Sequence, residues 1–401
     1  MSEQLPKKEY KPFFNRSYLK YLGFAVAIAI IFLSEKPTSS LEQPLPLEEA
    51  ISGLKVLHND SVTDSRLLLS FSSAPALTEK AKIDRALDYQ SLLQSTATAD
   101  NIHSVLWTQD RLEIELRWPK NSSIDINDAL SQLTRDARKY ATTPARKLIA
   151  AAKYLDNKQI DNAAIQALST RIARDYAAGK NINLLLKNTP KALLITSYEK
   201  TASQVIEIDR QFGTLFPRNS QGNHQPVSWH PSESTIEHRG TAHQLLVATQ
   251  LAPISNPQSA LELVTNFVLG ELLNNLNAAQ HNSYRLVRQP IFKRGFQAVL
   301  LASTRPYTDQ DLMVLRAQMT EMAIDDAMTI IKKRLEDNYQ KLVEDPERLF
   351  KFYSKKNFYG LTTQSSSEYA AQLDTITVEQ IKMQIKAILG DNAIIIRLQP
   401  S

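Results

Sequence analysis

From Leu112 to Trp118, Leu112, Ile114, Leu116 and Trp118 alternate with Glu113, Glu115 and Arg117. A period of two predicts a strand with one buried face. Val105–Trp107 precedes it, and Gln109-Asp110 between the two predicts a hairpin. Upstream, Gly53–Leu57 and Ser65–Phe71 predict two further strands, and Leu77–Leu93 predicts a helix. Downstream, helices are expected over Ile126–Tyr140, Ala145–Tyr154 and Asn162–Ala178. Lys191–Thr196 (KALLIT) then reads as a buried strand, Thr201–Phe212 as a helix that packs back, and Thr214–Pro217 as the end of a lobe.

The second half repeats this plan. Gln244–Gln250 (QLLVATQ) predicts a buried central strand, and Pro257–Leu276 predicts a helix with Leu261, Val264, Val268 and Leu272 on one face. Arg285–Val287 and Gly295–Ser303 are expected to pair. Thr308 with Asp311 three residues on resembles a capping box, so a helix should follow. Another is expected over residues 327–342, and Asp345-Pro346-Glu347 starts the next. Leu185–Ile195 resembles Ile388–Ile396: in each, a helix ends in a polar turn and enters an apolar strand. The period of about 200 residues implies a tandem α+β unit.

The expected organisation is a basic tail (1–18), an apolar span (19–34), a Pro-rich tether (35–46), a first lobe (47–217), a polar linker (218–234) and a second lobe (235–401). Leu22–Leu33 is uninterrupted and uncharged. It is shorter than the roughly 20 residues of a comfortable span, and Lys20 at its edge can snorkel to the headgroups. A cleaved signal peptide is the alternative, but Phe32-Leu33-Ser34-Glu35-Lys36 is a poor small-x-small cleavage site. Lys7, Lys8, Lys11, Arg16 and Lys20 outweigh Glu3 and Glu9. That bias predicts a single-pass protein with its N-terminus in the cytoplasm and its bulk periplasmic or extracellular.

Composition mainly removes options. The net charge of +5 lies largely in the basic tail, which gives no support to nucleic-acid binding. There is no cysteine, so thiolate metal sites and Cys nucleophiles are excluded. Ten glycines, with no Gly-rich phosphate loop and no Gly-x-Ser-x-Gly elbow, argue against nucleotide binding and Ser hydrolases. Lys351, Lys355 and Lys356 interleave with Phe350, Phe352, Tyr353, Phe358 and Tyr359. The pattern fits a helix with aromatics inward and lysines outward, and less well a surface for lipid headgroups or an acidic partner.

Several segments, in this order, resemble the insulinase/pitrilysin-type (inverzincin) metallopeptidases. Gly53-Leu54-Lys55-Val56 is similar to the family's opening Asn-Gly-Leu-Arg-Val strand, with Ser52 in place of Asn. Leu193–Phe216 is similar to its strand, helix and closing Phe-x-x-Leu-Pro. Leu269-Gly270 and Leu276–Tyr284 resemble the second-lobe segment that reads Leu-Gly, Leu-Arg-Glu and Tyr-Ser, and Thr375–Gln380 its late helix start. The resemblance implies a clamshell of two lobes around a chamber, able to bind peptides.

The family's chemistry needs His-x-x-Glu-His on a first-lobe helix: two His for zinc and a Glu to activate water. That motif is absent from the sequence. The corresponding helix carries Glu79, Asp84 and Asp88 but no His. His230-Pro231-Ser232-Glu233-Ser234 lacks the second His, His238 and His243 are five apart, and His58, His103, His224 and His281 are isolated. No catalytic residue, metal ligand or cofactor is therefore expected. The family also uses an Arg and a Tyr to hold substrate. Tyr284 matches the Tyr, whereas the Arg position, seven residues earlier, is Asn277. Tyr284 is thus the one candidate substrate-binding remnant. The expected function is a non-catalytic peptide-binding or scaffold subunit that partners a zinc-bearing homologue. A zinc-dependent endopeptidase whose site is completed by a partner is the alternative, and an envelope assembly factor a third reading.

Overall fold

The computed structural model describes residues 47–401, apart from residues 61, 98, 121, 142–162, 173–184, 198–200, 218–228, 239, 253, 281–282, 292–293 and 322–323. The predicted anchor (19–34) and the helix expected over Ala145–Tyr154 lie outside the described residues. Among the described residues no helix is long and apolar enough to cross a membrane.

The first sheet contains β1 (Leu47–Glu49), β2 (Lys55–His58), β3 (Asp64–Ser72), β4 (Ile102–Trp107), β5 (Arg111–Pro119) and β6 (Lys191–Thr196), in the order β1-β2-β6-β3-β5-β4. The second contains β7 (Ser232–His238), β8 (His243–Gln250), β9 (Ser283–Ile291), β10 (Arg294–Ser303) and β11 (Ile394–Pro400), in the order β7-β11-β8-β10-β9. Strands β2-β6-β3-β5-β4 correspond one for one to the second sheet. In each, the late strand enters between the first two, parallel to one and antiparallel to the other. The Leu185–Ile195 and Ile388–Ile396 echo marks these two inserted strands.

One face of each sheet is covered by helices of its own lobe. In the first these are α1 (Glu79–Thr96), α2 (Ile126–Ala141) and, after α3 (Ala163–Ile172), α4 (Thr201–Leu215). Leu92, Leu133 and Phe212 from them meet Leu67, Leu69, Ile114 and Leu116. In the second, α5 (Asn256–Gln280), α6 (Asp309–Glu321), α7 (Asp325–Glu344), α9 (Ser366–Asp374) and α10 (Val378–Ile388) pack on Leu245, Val247, Val299 and Leu301, with α8 (Pro346–Tyr359) placed elsewhere.

The opposite faces are covered by exchange. Helix α3, from the first lobe's sequence, puts Ala164, Leu168 and Ile172 against Leu246, Ala248, Phe296 and Ile396 of the second sheet. Helix α8, from the second lobe's sequence, puts Leu349, Phe350 and Tyr353 against Leu57, Leu68, Leu193 and Ile195 of the first. Polar contacts follow the same crossing. Asn357 Nδ2 donates to Ala192 O at 3.0 Å, Arg66 pairs with Glu347 at 2.5 Å, and Arg171 Nη1 donates to Ser232 Oγ at 2.5 Å. The simple clamshell expected from the sequence is therefore tied by two crossing helices. This explains why β6 and β8 read as continuous apolar runs: Ala192–Thr196 and Leu245–Ala248 are buried on both faces.

Local signals set the helix limits. Asp345 caps α8 by accepting from Glu347 N at 3.0 Å and Arg348 N at 3.2 Å, with Pro346 in the first turn, where a missing N–H costs nothing. Gly360, at φ 69°, ends it in the left-handed region that other residues avoid. Thr308 and Asp311 form the expected reciprocal cap: Thr308 N donates to Asp311 Oδ2 at 2.8 Å, and Asp311 N to Thr308 Oγ1 at 3.3 Å. One expectation about α8 is corrected. Its aromatics do face inward, but Lys356 is buried as well, because its ammonium finds acceptors in Thr362 O and Gln364 Oε1, both at 3.0 Å.

The exchange predicts that the two sheets unfold together. Tyr353→Ala, which opens a cavity between α8 and the first sheet, should cost about 3 kcal/mol. Hydrogen exchange should then rise in β8 of the other sheet as much as in β3. Protection lost in β3 alone would show that the lobes are independent.

Candidate functional site

Helix α1, where the sequence resemblance puts the family's zinc helix, is capped by Thr78, whose Oγ1 accepts from Ala81 N at 3.2 Å. Arg85 fastens it to the β4–β5 turn, with Nη1 donating to Thr108 O and Gln109 O at 3.1 Å each. The same guanidinium donates to Ala74 O and lies 5.3 Å from the Trp107 ring centroid, while Trp107 Nε1 donates to Ser73 Oγ at 3.0 Å. Desolvation, partly offset by Asp110, lowers the Arg85 pKa to about 10, which leaves it charged at neutral pH. The turn is the expected hairpin, closed by Thr108 N donating to Arg111 O at 2.8 Å.

Opposite this corner lies β9, an edge strand paired only with β10. Gly295, at φ 136°, sits across from Pro290, where a Cβ would come within 2.1 Å of Gln289 O. Glycine there keeps the end of β9 close to its partner. Between the corner and β9 is a cavity of about 610 Å³. It is walled by Arg85, Tyr89 and Trp107 on one side, by Ile165 and Ser169 of α3, and by Arg285, Val287 and Gln289 of β9 on the other.

A buried polar network begins at Asp110, next in sequence to the cleft-lining Gln109. Asp110 is 1% exposed; it accepts from Tyr359 OH at 2.7 Å and from Arg111 Nη1 at 3.2 Å. Arg111 Nε also donates to Glu113 at 2.6 Å, and its guanidinium lies 5.2 Å from the Phe358 ring centroid. Burial first, then the Asp110 charge, raises the Tyr359 pKa well above the ordinary phenol value. Nearby, Arg288 Nε donates to Glu262 Oε2 at 3.2 Å, and Gln258 Nε2 donates to Glu262 Oε1 at 3.3 Å. Glu262 is 2% exposed, so this ion pair is a fixed part of the wall.

The residues singled out from the sequence are scattered. Tyr284 opens β9, half-buried against α5, and its hydroxyl donates to Asn274 Oδ1 at 2.7 Å. Burial and then the Glu271 charge raise its pKa. It does not line the cleft described above. His238 and His243 stand on β7 and β8, with β11 between them, and the His238 ring bonds Ala242 O at 2.9 Å. Ser232 and Glu233 belong to β7, so His230–Ser234 enters a strand and does not form a chelating helix turn. His58 faces Glu48 at 3.2 Å, His103 is exposed on β4, and His224 and His281 lie outside the described residues. Among the described residues no group of three or more His, Asp or Glu side chains converges as metal ligands would. Asp110 and Arg111 of the buried network and Arg285 and Arg288 of the cleft wall were not singled out in the sequence. Asp110 and Tyr359 are 249 positions apart, and no local pattern links them.

The fold is that of M16 (insulinase-type) peptidase structures. Over 89% of this chain and 98% of the other, it matches the peptidase M16 inactive domain from Pseudomonas fluorescens, with a TM-score of 0.64 at 16% identity. A protease from Helicobacter pylori matches at 0.62 and 10% identity, covering 89% of this chain and 100% of that one. The first half of the periplasmic protease PqqL from Escherichia coli matches at 0.57 and 9% identity, covering 89% and 92%. No protein-family profile and no curated protein matches the sequence.

On α1, burial and then the neighbouring Asp84 charge raise the Asp88 pKa from 3.8 to about 6. Its ionised form is less favourable in the folded chain than in the unfolded one. Stability should therefore fall as pH rises from 3.8 to about 6 and stay lower above that. Asp88→Asn should flatten this fall and add on the order of 1–2 kcal/mol at pH 7. Urea midpoints measured across pH 4–7 check both the sign and the window.

Proposed function

We propose that this chain is a non-catalytic, insulinase-like subunit that holds an extended peptide segment in the cleft between α1 and β9. One observation carries the reading: an open edge strand faces a cavity of about 610 Å³ across from a helix that bears no His. Edge strands accept extended peptides through main-chain hydrogen bonds, and neighbouring pockets choose the side chains. Tyr284, on the same strand, is proposed as a further contact with the peptide. The match to a structure described as an M16 inactive domain, and to the first half of a longer protease, supports a partnered role. The proposed partner is a zinc-bearing homologue of the same fold, and residues 19–34 are proposed to anchor the chain with its bulk outside the cytoplasm. The alternative is a zinc-dependent endopeptidase whose site a partner completes.

The full-length protein, purified in mild detergent, can be titrated with labelled extended peptides in the presence of zinc or a chelator. The proposal expects binding that neither addition changes, and no cleavage. Cleavage that the chelator abolishes would replace it with the alternative. Purification from native membranes should bring down a stoichiometric companion carrying His-x-x-Glu-His. Isolation alone would remove the partner from the proposal.

A further inference from the structure

Beside the cleft is a second, smaller pocket of about 220 Å³, enclosed by α5, β9, α7, α8 and α9. Tyr339, Phe352, Tyr359 and Tyr369 give it four aromatic walls among aliphatic and polar neighbours. Tyr339 stacks on Tyr369 with centroids 4.3 Å apart and meets Phe352 edge-on at 5.7 Å. Arg288, Lys355 and Lys356 also line it, and no acidic residue does.

The three cations are committed to different degrees. Lys356 is held by its two oxygen acceptors, and burial lowers its pKa to about 8. Arg288 spends Nε and Nη2 on Glu262, and its Nη1 has no hydrogen bond among the described residues. Lys355 has neither a hydrogen bond nor an ion pair among the described residues. Its side chain is exposed at the rim of the pocket; desolvation, then the charges of Arg111 and Arg288, partly offset by Asp110 and Glu113, hold its pKa below the ordinary lysine value. Gln372, also lining the pocket, keeps a buried Nε2 without an acceptor. Spare cationic donors, no lining carboxylate and flat apolar walls together suit an anion carried on an apolar stem.

We infer that this pocket takes a carboxylate-bearing residue of the peptide held in the cleft, with Lys355 and Arg288 Nη1 pairing with the carboxylate and the rings packing its stem. The inference rests on the peptide-binding reading above and adds a sequence preference to it. The route is given by β9: Gln289 lines the cleft, Pro290 lines the pocket, and Arg288 lines both. A peptide following this strand passes the pocket within one or two residues. The carboxylate has two sources, an Asp or Glu side chain or a C-terminus, and the same donors serve either.

The test uses the full-length protein in detergent and fluorescence anisotropy with four versions of one labelled peptide. These are a neutral amidated form, an amidated form with one Glu, its Gln counterpart, and the neutral form with a free C-terminal carboxylate. One charge-assisted contact predicts about tenfold tighter binding for a carboxylate-bearing form. The Glu peptide alone winning assigns the pocket to a side chain; the free terminus winning assigns it to a C-terminus. Lys355→Gln should erase the preference, and Lys351→Gln, exposed on the same helix outside the pocket, should keep it. Equal binding of all four peptides, or a preference that survives Lys355→Gln, overturns the pocket inference and leaves the cleft reading standing. No binding by any peptide overturns both.

Discussion

The crossing of α3 and α8 is the constraint on which the rest of the structure depends. Each sheet is apolar on both faces, and each lobe's own helices cover only one. Without the exchange, Leu193 and Ile195 on one sheet and Leu246, Ala248 and Ile396 on the other would meet water. Burying each such Leu or Ile side chain stabilises by about 1.5–3 kcal/mol. Either lobe folded alone would therefore expose a sticky sheet face. The same packing holds β9 opposite α1, so the cleft between them is set by the core.

Helix α8 joins this packing to the site. Its buried stripe, Leu349, Phe350 and Tyr353, seats it on the first sheet, and its last turns carry Lys355, Lys356 and Tyr359 to the wall of the smaller pocket. The charges there are desolvated, so each unmatched one is costly and each matched one fixes geometry. Asp110 answers Tyr359 and Arg111, and Glu262 answers Arg288 and Gln258. Lys355, exposed at the pocket rim, has no direct hydrogen bond or ion pair among the described residues, and the proposed anion preference rests on it.

Much of the fold could be read along the chain because its causes are local. KALLIT defined β6 at both ends, Asp345-Pro346 marked the start of α8, and Thr308 with Asp311 marked α6. The inserted strands β6 and β11 showed themselves as a repeated turn-and-strand phrase. The exchange was hidden because periodicity reveals that a helix has an apolar face, and says nothing of which sheet that face meets. Lys356 was misplaced for a related reason: its acceptors, Thr362 O and Gln364 Oε1, lie past the helix end, where no periodic pattern extends. The polar cleft network joins β5 to α8 across most of the sequence, so Asp110 looked like an ordinary turn residue. Family likeness pointed instead to Tyr284, which bonds Asn274 at the other end of β9.

Helix α1 bears no His, and beside it the fold offers an edge strand, a walled cleft and a side pocket, the features on which the proposed peptide binding rests. Hydrogen–deuterium exchange of the full-length protein with and without a saturating peptide tests this account most directly. The account predicts slowed exchange on both sides of the cleft, in β9 (Ser283–Ile291) and in the β4–β5 turn around Thr108–Arg111, with or without zinc. Protection confined to one side, or lying only on surfaces away from α1 and β9, would contradict it.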